Sequence, residues 1–399
     1  MNNAYALKAA KIIAQEKDYH EHFLVIKNGL IADISSTVEQ GIPVIPLGSA
    51  VIVPGLIDLH IHGREGCDVM DASLESMHTI SSSLACHGVT GFLATTVTSS
   101  WQETLDAMQI IGQSATQIMP GAQVLGGYSE GLFFTNEHKG AHNEQYFLSL
   151  TPERIDQLIT ASNQQLKVLA LAPEINNACE MTRYLAQRNV KVMLGHTDAT
   201  YQQTVDALDS GASGGVHVFN GMRGIHHREP GCTGAVLLHD TNVEVIADGV
   251  HLHPAILKMI CQLKAPEKIT LISDCINAGG LSDGDYQLGK TDITVKSGIA
   301  RTGSGSLAGS TLTLEKAVQN LSNMADVQLR DAVHMASLSP ATFLGIEDST
   351  GSIAIGKKAD LAILDPSGTV HATLIQGRTV FNAKQLAFSV QLQHLTNNS

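Results

Sequence analysis

The sequence predicts an α/β protein: a TIM-like (β/α)8 barrel over residues 54–354, with a small β-sandwich domain formed by both chain termini, 1–53 together with 355–399. Three observations predict it. Eight short apolar runs recur between about Pro54 and Leu344, helix-like segments lie between most of them, and both chain ends read as short strands that cannot close a core alone. A chain of 399 residues is long enough to bury a large core, and its 36 glycines suit a fold rich in tight turns.

The elements follow in order. In "FLVIKNGLIADIS" two apolar runs flank Asn28-Gly29, the signal for a two-residue hairpin turn. The C-terminal "GSIAIGKKADLAILD" and "TLIQGRTVFN" have the same character, so the two ends are expected to pair. The barrel strands are "GLIDLHIH", "VTGFLATTV", "AQVLGGY", "KVLALA", "VKVMLG", "GGVHVF", "VEVIAD" and "ITLISD". Among the helices, "SLESMHTISSSLACHG" sets Leu74, Met77, Ile80 and Leu84 on one face and stops at Gly88. "TPERIDQLITAS" opens with a Thr cap and a Pro in the first turn, and "DATYQQTVDALDSG" ends at Gly211.

Composition excludes some partners. A net charge of −13 argues against nucleic acid and against an anionic membrane surface, since neither attracts such a chain. An anionic small substrate then needs a local basic pocket. The six cysteines are scattered without a C-x-x-C pair, which fits reduced thiols in the cytoplasm. The N-terminus carries charges throughout and no apolar run approaches the length of a membrane span.

In a barrel of this kind the chemistry sits at the C-terminal ends of the strands. There the sequence places His60 and His62 after strand one, Glu130 after strand three and His196 after strand five. His217 follows on strand six, Asp248 and His251 after strand seven, and Asp274 after strand eight. Each has a plainer reading: H-x-H as a hydrogen-bonded strand-end pair, Glu130 as a turn carboxylate, His217 as a satisfied core histidine, Asp274 as a cap. One metal site explains them all together, whereas the plain readings must hold separately at each strand end. Histidines with carboxylates and no paired cysteines suit Zn²⁺, Fe²⁺, Mn²⁺ or Co²⁺ in a hydrolytic site. Such an ion lowers the pKa of a bound water to about 7, and Asp274 is the best-placed carboxylate to carry the proton to a leaving group.

The loops suggest an anionic ligand. "FNGMRGIHHREPG" combines Asn220 and Gly221, read as backbone N–H donors, with Arg223, His226, His227 and the planar fork of Arg228, a set that suits a phosphate. "HKGAHN", just after Glu130, adds His142 as a neutral donor to an acyl oxygen.

Together "PGLIDLHIHG", "GHTDAT", "VHVFNGM", "HHREPG", "IADGVHLHP", "LISD" and "LAGSTLTL" resemble the amidohydrolase superfamily of metal-dependent hydrolase barrels, and within it the N-acetylhexosamine-6-phosphate deacetylases. The resemblance implies cytoplasmic removal of acetate from N-acetyl-D-glucosamine 6-phosphate, or from its galactosamine epimer. It implies Glu130, His196 and His217 as the main metal ligands, with His60 and His62 completing a second position, so one or two divalent ions, zinc first. It implies Asp274 as acid/base, His142 polarising the acetyl carbonyl, and Asn220, Gly221 and Arg228 on the phosphate. Leu307, in the turn to Ser310, would face the acetyl group, and His251 would reach the neighbouring subunit's substrate in a homodimer. Two departures stand out: Leu132 replaces a usual Pro, which should loosen its loop, and Gly221 replaces a common Ala, a harmless change if only the N–H is used. A cyclic amidase such as a dihydroorotase is disfavoured because Lys167 stands at the start of strand four. An inactive scaffold is disfavoured because every ligand position is filled.

Overall fold

The computed structural model describes residues 4–383. The eight predicted runs form one parallel sheet in chain order. Its strands are Leu56–Ile61, Val89–Thr95, Gln123–Ser129, Leu166–Leu171, Lys191–Leu194, Gly214–Gly215, Asn242–Val245 and Ile269–Leu271. The sheet closes on itself where Ile61 bridges Cys275, with the Asp274 N–H donating to His60 O at 2.9 Å and the His62 N–H to Cys275 O at 2.8 Å. Closure therefore runs through the polar residues at the mouth. These strands are buried almost throughout, which is why they read as unbroken apolar runs.

Strand six is shorter than "GGVHVF" suggested. Regular pairing ends at Gly215, and His217 and Phe219 follow with positive φ of 23° and 77°. The Val218 N–H still donates to Glu244 O at 2.9 Å, so the segment follows the barrel wall as irregular backbone.

The helices begin where their caps are. Leu74–Ala85 starts at Ser73, whose side chain accepts from the Ser76 N–H, and it buries Met77, Ile80 and Leu84. Pro152–Ala161 carries Thr151 as its cap and Pro at its first position. Tyr201–Asp209 has a capping box between Thr200 and Gln203.

Strands from both chain ends join a second, eight-stranded sheet. Arg378–Asn382, Val370–Ile375 and Leu361–Leu364 lead to Val51–Pro54, then to Ala4–Ile13, Asp18–Lys27 and Leu30–Ser35, and Val44–Pro46 also pairs with Ala4–Ile13. Where a sandwich was expected, the chain ends build one continuous sheet. Its side chains alternate faces: Leu361 and Ile363 join a core with Ile12, Ile52 and Leu374, while Ala362 and Leu364 pack with Ile13 and Val53 against the barrel. Lys27 pairs with Leu30 across Asn28 and Gly29, both at positive φ, as the predicted hairpin requires. Residues 1–3 and 384–399 of the expected terminal domain lie outside the described residues.

A three-stranded antiparallel sheet, Gly284–Leu288, Thr291–Lys296 and Ile299–Thr302, follows strand eight and was not expected. It buries Leu288, Ile293, Val295 and Ala300 against Val97 and Ile276, and so walls one side of the barrel mouth. Among the described residues no helix is long and apolar enough to cross a membrane.

Candidate metal centre

A cavity of about 390 Å³ opens at the C-terminal end of the barrel. Glu130 lies at its floor, one residue beyond strand three, and both carboxylate oxygens face histidines. Oε1 lies 3.3 Å from His196 Nε2 and 3.2 Å from His217 Nε2. Oε2 lies 3.3 Å from His62 Nε2 and 3.5 Å from His60 Nε2. Asp274 Oδ1 approaches the same pair, 3.2 Å from His62 and 3.6 Å from His60. The backbone is distorted to achieve this: His196, His217 and Asp274 all have positive φ, at 48°, 23° and 49°. Such conformations cost about 1–3 kcal/mol each and collect at functional sites.

Each ring is turned by the partner of its other nitrogen. Nδ1 of His62 faces Thr95 O at 3.3 Å, that of His196 faces His138 O at 3.2 Å, and that of His217 faces Asn220 O at 3.1 Å. A carbonyl can only accept, so Nδ1 carries the proton and the Nε2 lone pair points into the site. His60 differs, since its Nδ1 faces a carboxylate, Glu244 Oε2, at 3.1 Å.

The donor set fits a divalent cation. His196 and His217 bring Nε2 lone pairs to within 3.1 Å of each other. His60 Nε2 is completely buried with no hydrogen-bond partner, facing two carboxylate oxygens. Two groups could hold an ion, His60/His62/Asp274 and Glu130/His142/His196. The titration directions show the same crowding. Burial pushes the Glu130 carboxyl up, but His60, His196 and His217 outweigh it and hold it well below the usual range. Asp274 is likewise resisted by burial yet drawn down to about 2 by His62 and His60, while burial lowers His62 and its two carboxylate neighbours raise it to about 9.

His142 lines the cavity with Nε2 3.2 Å from His196 Nε2 and Nδ1 2.6 Å from Thr98 Oγ1. The Thr98 hydroxyl donates to Gly131 O at 2.9 Å, so its oxygen accepts from His142 Nδ1–H and the His142 Nε2 lone pair faces the site. Burial and the neighbouring His196 keep this ring neutral.

Of the expected phosphate and acetyl contacts, Asn220, Gly221, His251 and Leu307 line the cavity. Their surroundings differ. The Asn220 N–H already donates to His217 O at 3.0 Å, so Asn220's backbone serves the metal centre rather than a ligand. Arg228 lies exposed outside the cavity, its guanidinium donating to His227 Nε2, and Arg223 is engaged in a fork on Asp198. His251 lines its own chain's cavity, with its Nδ1 held 2.7 Å from Asp248 Oδ2. Asp248 itself stays off the cavity wall.

The two departures have structural answers. Leu132 is fully buried and its carbonyl accepts from the Leu148 N–H at 2.9 Å, so packing holds the loop that a Pro would stiffen. Gly221 is at φ +59° and a Cβ there would lie 2.7 Å from His196 Nδ1, so its smallness protects a ligand.

Sequence reasoning missed three supports. Glu244 backs His60, Thr98 backs His142, and Asp58 Oδ1 accepts the N–H groups of His60 and Ser273, clipping strand one to strand eight. A carboxylate inside the apolar run "VEVIAD" was the available signal for Glu244.

Comparison with known proteins gives concordant results. A family profile described as Amidohydrolase family matches residues 51–380. An N-acetylglucosamine-6-phosphate deacetylase of Vibrio furnissii is 41% identical over 385 residues, 96% of each chain. An N-acetylgalactosamine-6-phosphate deacetylase of Escherichia coli O157:H7 is 42% identical over 375 residues, covering 94% of this chain and 98% of the other. A solved N-acetyl-D-glucosamine-6-phosphate deacetylase mutant from Mycobacterium smegmatis, in complex with that sugar phosphate, superposes with a TM-score of 0.90 at 30% identity, over 95% of this chain and all of the other.

Proposed function

The chain belongs to the amidohydrolase family, and from that premise we propose that it hydrolyses N-acetyl-D-glucosamine 6-phosphate to D-glucosamine 6-phosphate and acetate. The observation that carries this is the Glu130 carboxylate, whose two oxygens face His196 with His217 and His60 with His62 in a closed barrel's cavity. In this reading Glu130, His196 and His217 would hold one divalent ion, and His60 and His62 with Glu130 would hold a second, zinc being the first candidate. The ion supplies Lewis acidity to water and to the amide carbonyl.

The chain's own groups do the rest. Asp274 takes a proton from the attacking water through Oδ1 and returns it to the amine nitrogen as the C–N bond breaks. His142 lies at the acetyl end of the site to polarise the acetyl carbonyl, with Thr98 Oγ1 holding its ring at Nδ1. Leu307 packs the acetyl methyl, and the Gly221 N–H and His251 meet the sugar phosphate. Lys167 does not line the cavity, which supports a Glu130 bridge over the carboxylated lysine of cyclic amidases.

Unpaired cysteines support residence in a reducing compartment, the cytoplasm. The exposed loop carrying Ile225 and Arg228 outside its own cavity supports a homodimer.

The galactosamine epimer is the second reading, favoured by the 42% identity to a deacetylase of that sugar. Acetate release from both epimers, with and without the 6-phosphate, tests the proposal. Higher kcat/KM on the glucosamine ester supports it, and no release from any of them overturns it.

A further inference from the structure

We propose that Glu244 is a positioning residue that sets the affinity of the His60/His62 metal position, acting through the His60 ring. Glu244 lies on strand seven, separated from strand one by strand eight alone in the closed barrel, and is 1% exposed. Its Oε2 sits 3.1 Å from His60 Nδ1 and 3.3 Å from the His217 N–H. It touches no part of the cavity, so substrate does not explain it.

Three of the four strand-end histidines at Glu130 rest their Nδ1 on backbone carbonyls. Only His60 rests on a carboxylate. An Nδ1–H held by a carboxylate makes the opposite nitrogen a stronger donor and fixes the ring, and losing such a support weakens a metal about 10–100-fold. The His60 ring has no other polar anchor: its Nε2 is unpartnered, and the Tyr128 ring packs 4.7 Å from it. Glu244 meets the other position only through the His217 backbone N–H, while the His196 and His217 rings keep their own carbonyl supports.

This inference rests on the metal-dependent reading above, so its test reads metal binding and leaves deacetylation as a separate question. Zinc affinity and stoichiometry are measured with a chromophoric chelator on Glu244→Gln, on His60→Gln and on the double variant. The expected result is a weaker ion lost about 10–100-fold more readily in Glu244→Gln, a tighter ion unchanged, and no further loss when the change is added to His60→Gln. Equal weakening of both ions, no weakening, or an undiminished effect in the His60→Gln background overturns the proposal. Should Glu244→Gln not fold, proton NMR of the intact zinc-loaded protein decides. A strongly deshielded Nδ1–H resonance that His60→Gln removes supports it, and the absence of that resonance refutes it.

Discussion

Glu130 Oε1 lies 3.2 Å from His217 Nε2, while the other oxygen of the same carboxylate faces His62 at 3.3 Å. One side chain thus joins histidines brought from strands one and six of the barrel. Glu130→Gln replaces one of those oxygens by an NH2 that cannot serve as a ligand. We expect bound metal to fall to near zero and deacetylation with it, as checked by elemental analysis of protein purified in zinc. Full retention of metal would show that Glu130 does not bridge.

Asp274 is the proton carrier of the account and also approaches His62 at 3.2 Å. Asp274→Asn should lower kcat by about 10²–10⁴-fold with little change in KM. Steady-state acetate release checks it, and full activity would remove the acid/base role.

Gly131 follows Glu130 at φ +133°, and a Cβ there would lie 2.5 Å from the Thr98 backbone nitrogen. Gly131→Ala should cost more than about 1 kcal/mol of stability through strain at this positive φ. It should also displace Glu130 and Thr98 together. Denaturant unfolding and metal content, measured on the same preparation, check both effects.

The strands and their order were legible because parallel strands covered on both faces read as continuous apolar runs, and His60, Glu130, His196 and Asp274 punctuate their ends. What could not be read depends on ring and backbone orientation. That His60 rests on Glu244 requires knowing that the Glu244 side chain reaches from strand seven past strand eight to strand one. That the Asn220 N–H is spent on His217 O follows from a left-handed turn that "VHVFNG" does not announce. The sheet after strand eight was legible in principle, since "DYQLGKTDITVKSGIART" alternates about turns at Gly289-Lys290 and Ser297-Gly298.

Lys264 offers a pH test remote from the centre. Its ammonium donates to His239 O and Thr241 O, and burial lowers its pKa from 10.5 to about 8. Between those values the unfolded chain holds the proton that the folded chain has shed, so stability from this group rises with pH from about 8 to about 10.5. Below about 8 that contribution is lost. Lys264→Met should flatten this rise in denaturant midpoints, and an unchanged slope would contradict the assignment.

Acetate release from N-acetyl-D-glucosamine 6-phosphate, followed on one preparation before chelation, after it and after reloading with zinc, tests the central claim most directly. The account predicts activity that disappears with the metal and returns on reloading. Undiminished release by fully metal-stripped protein would contradict it.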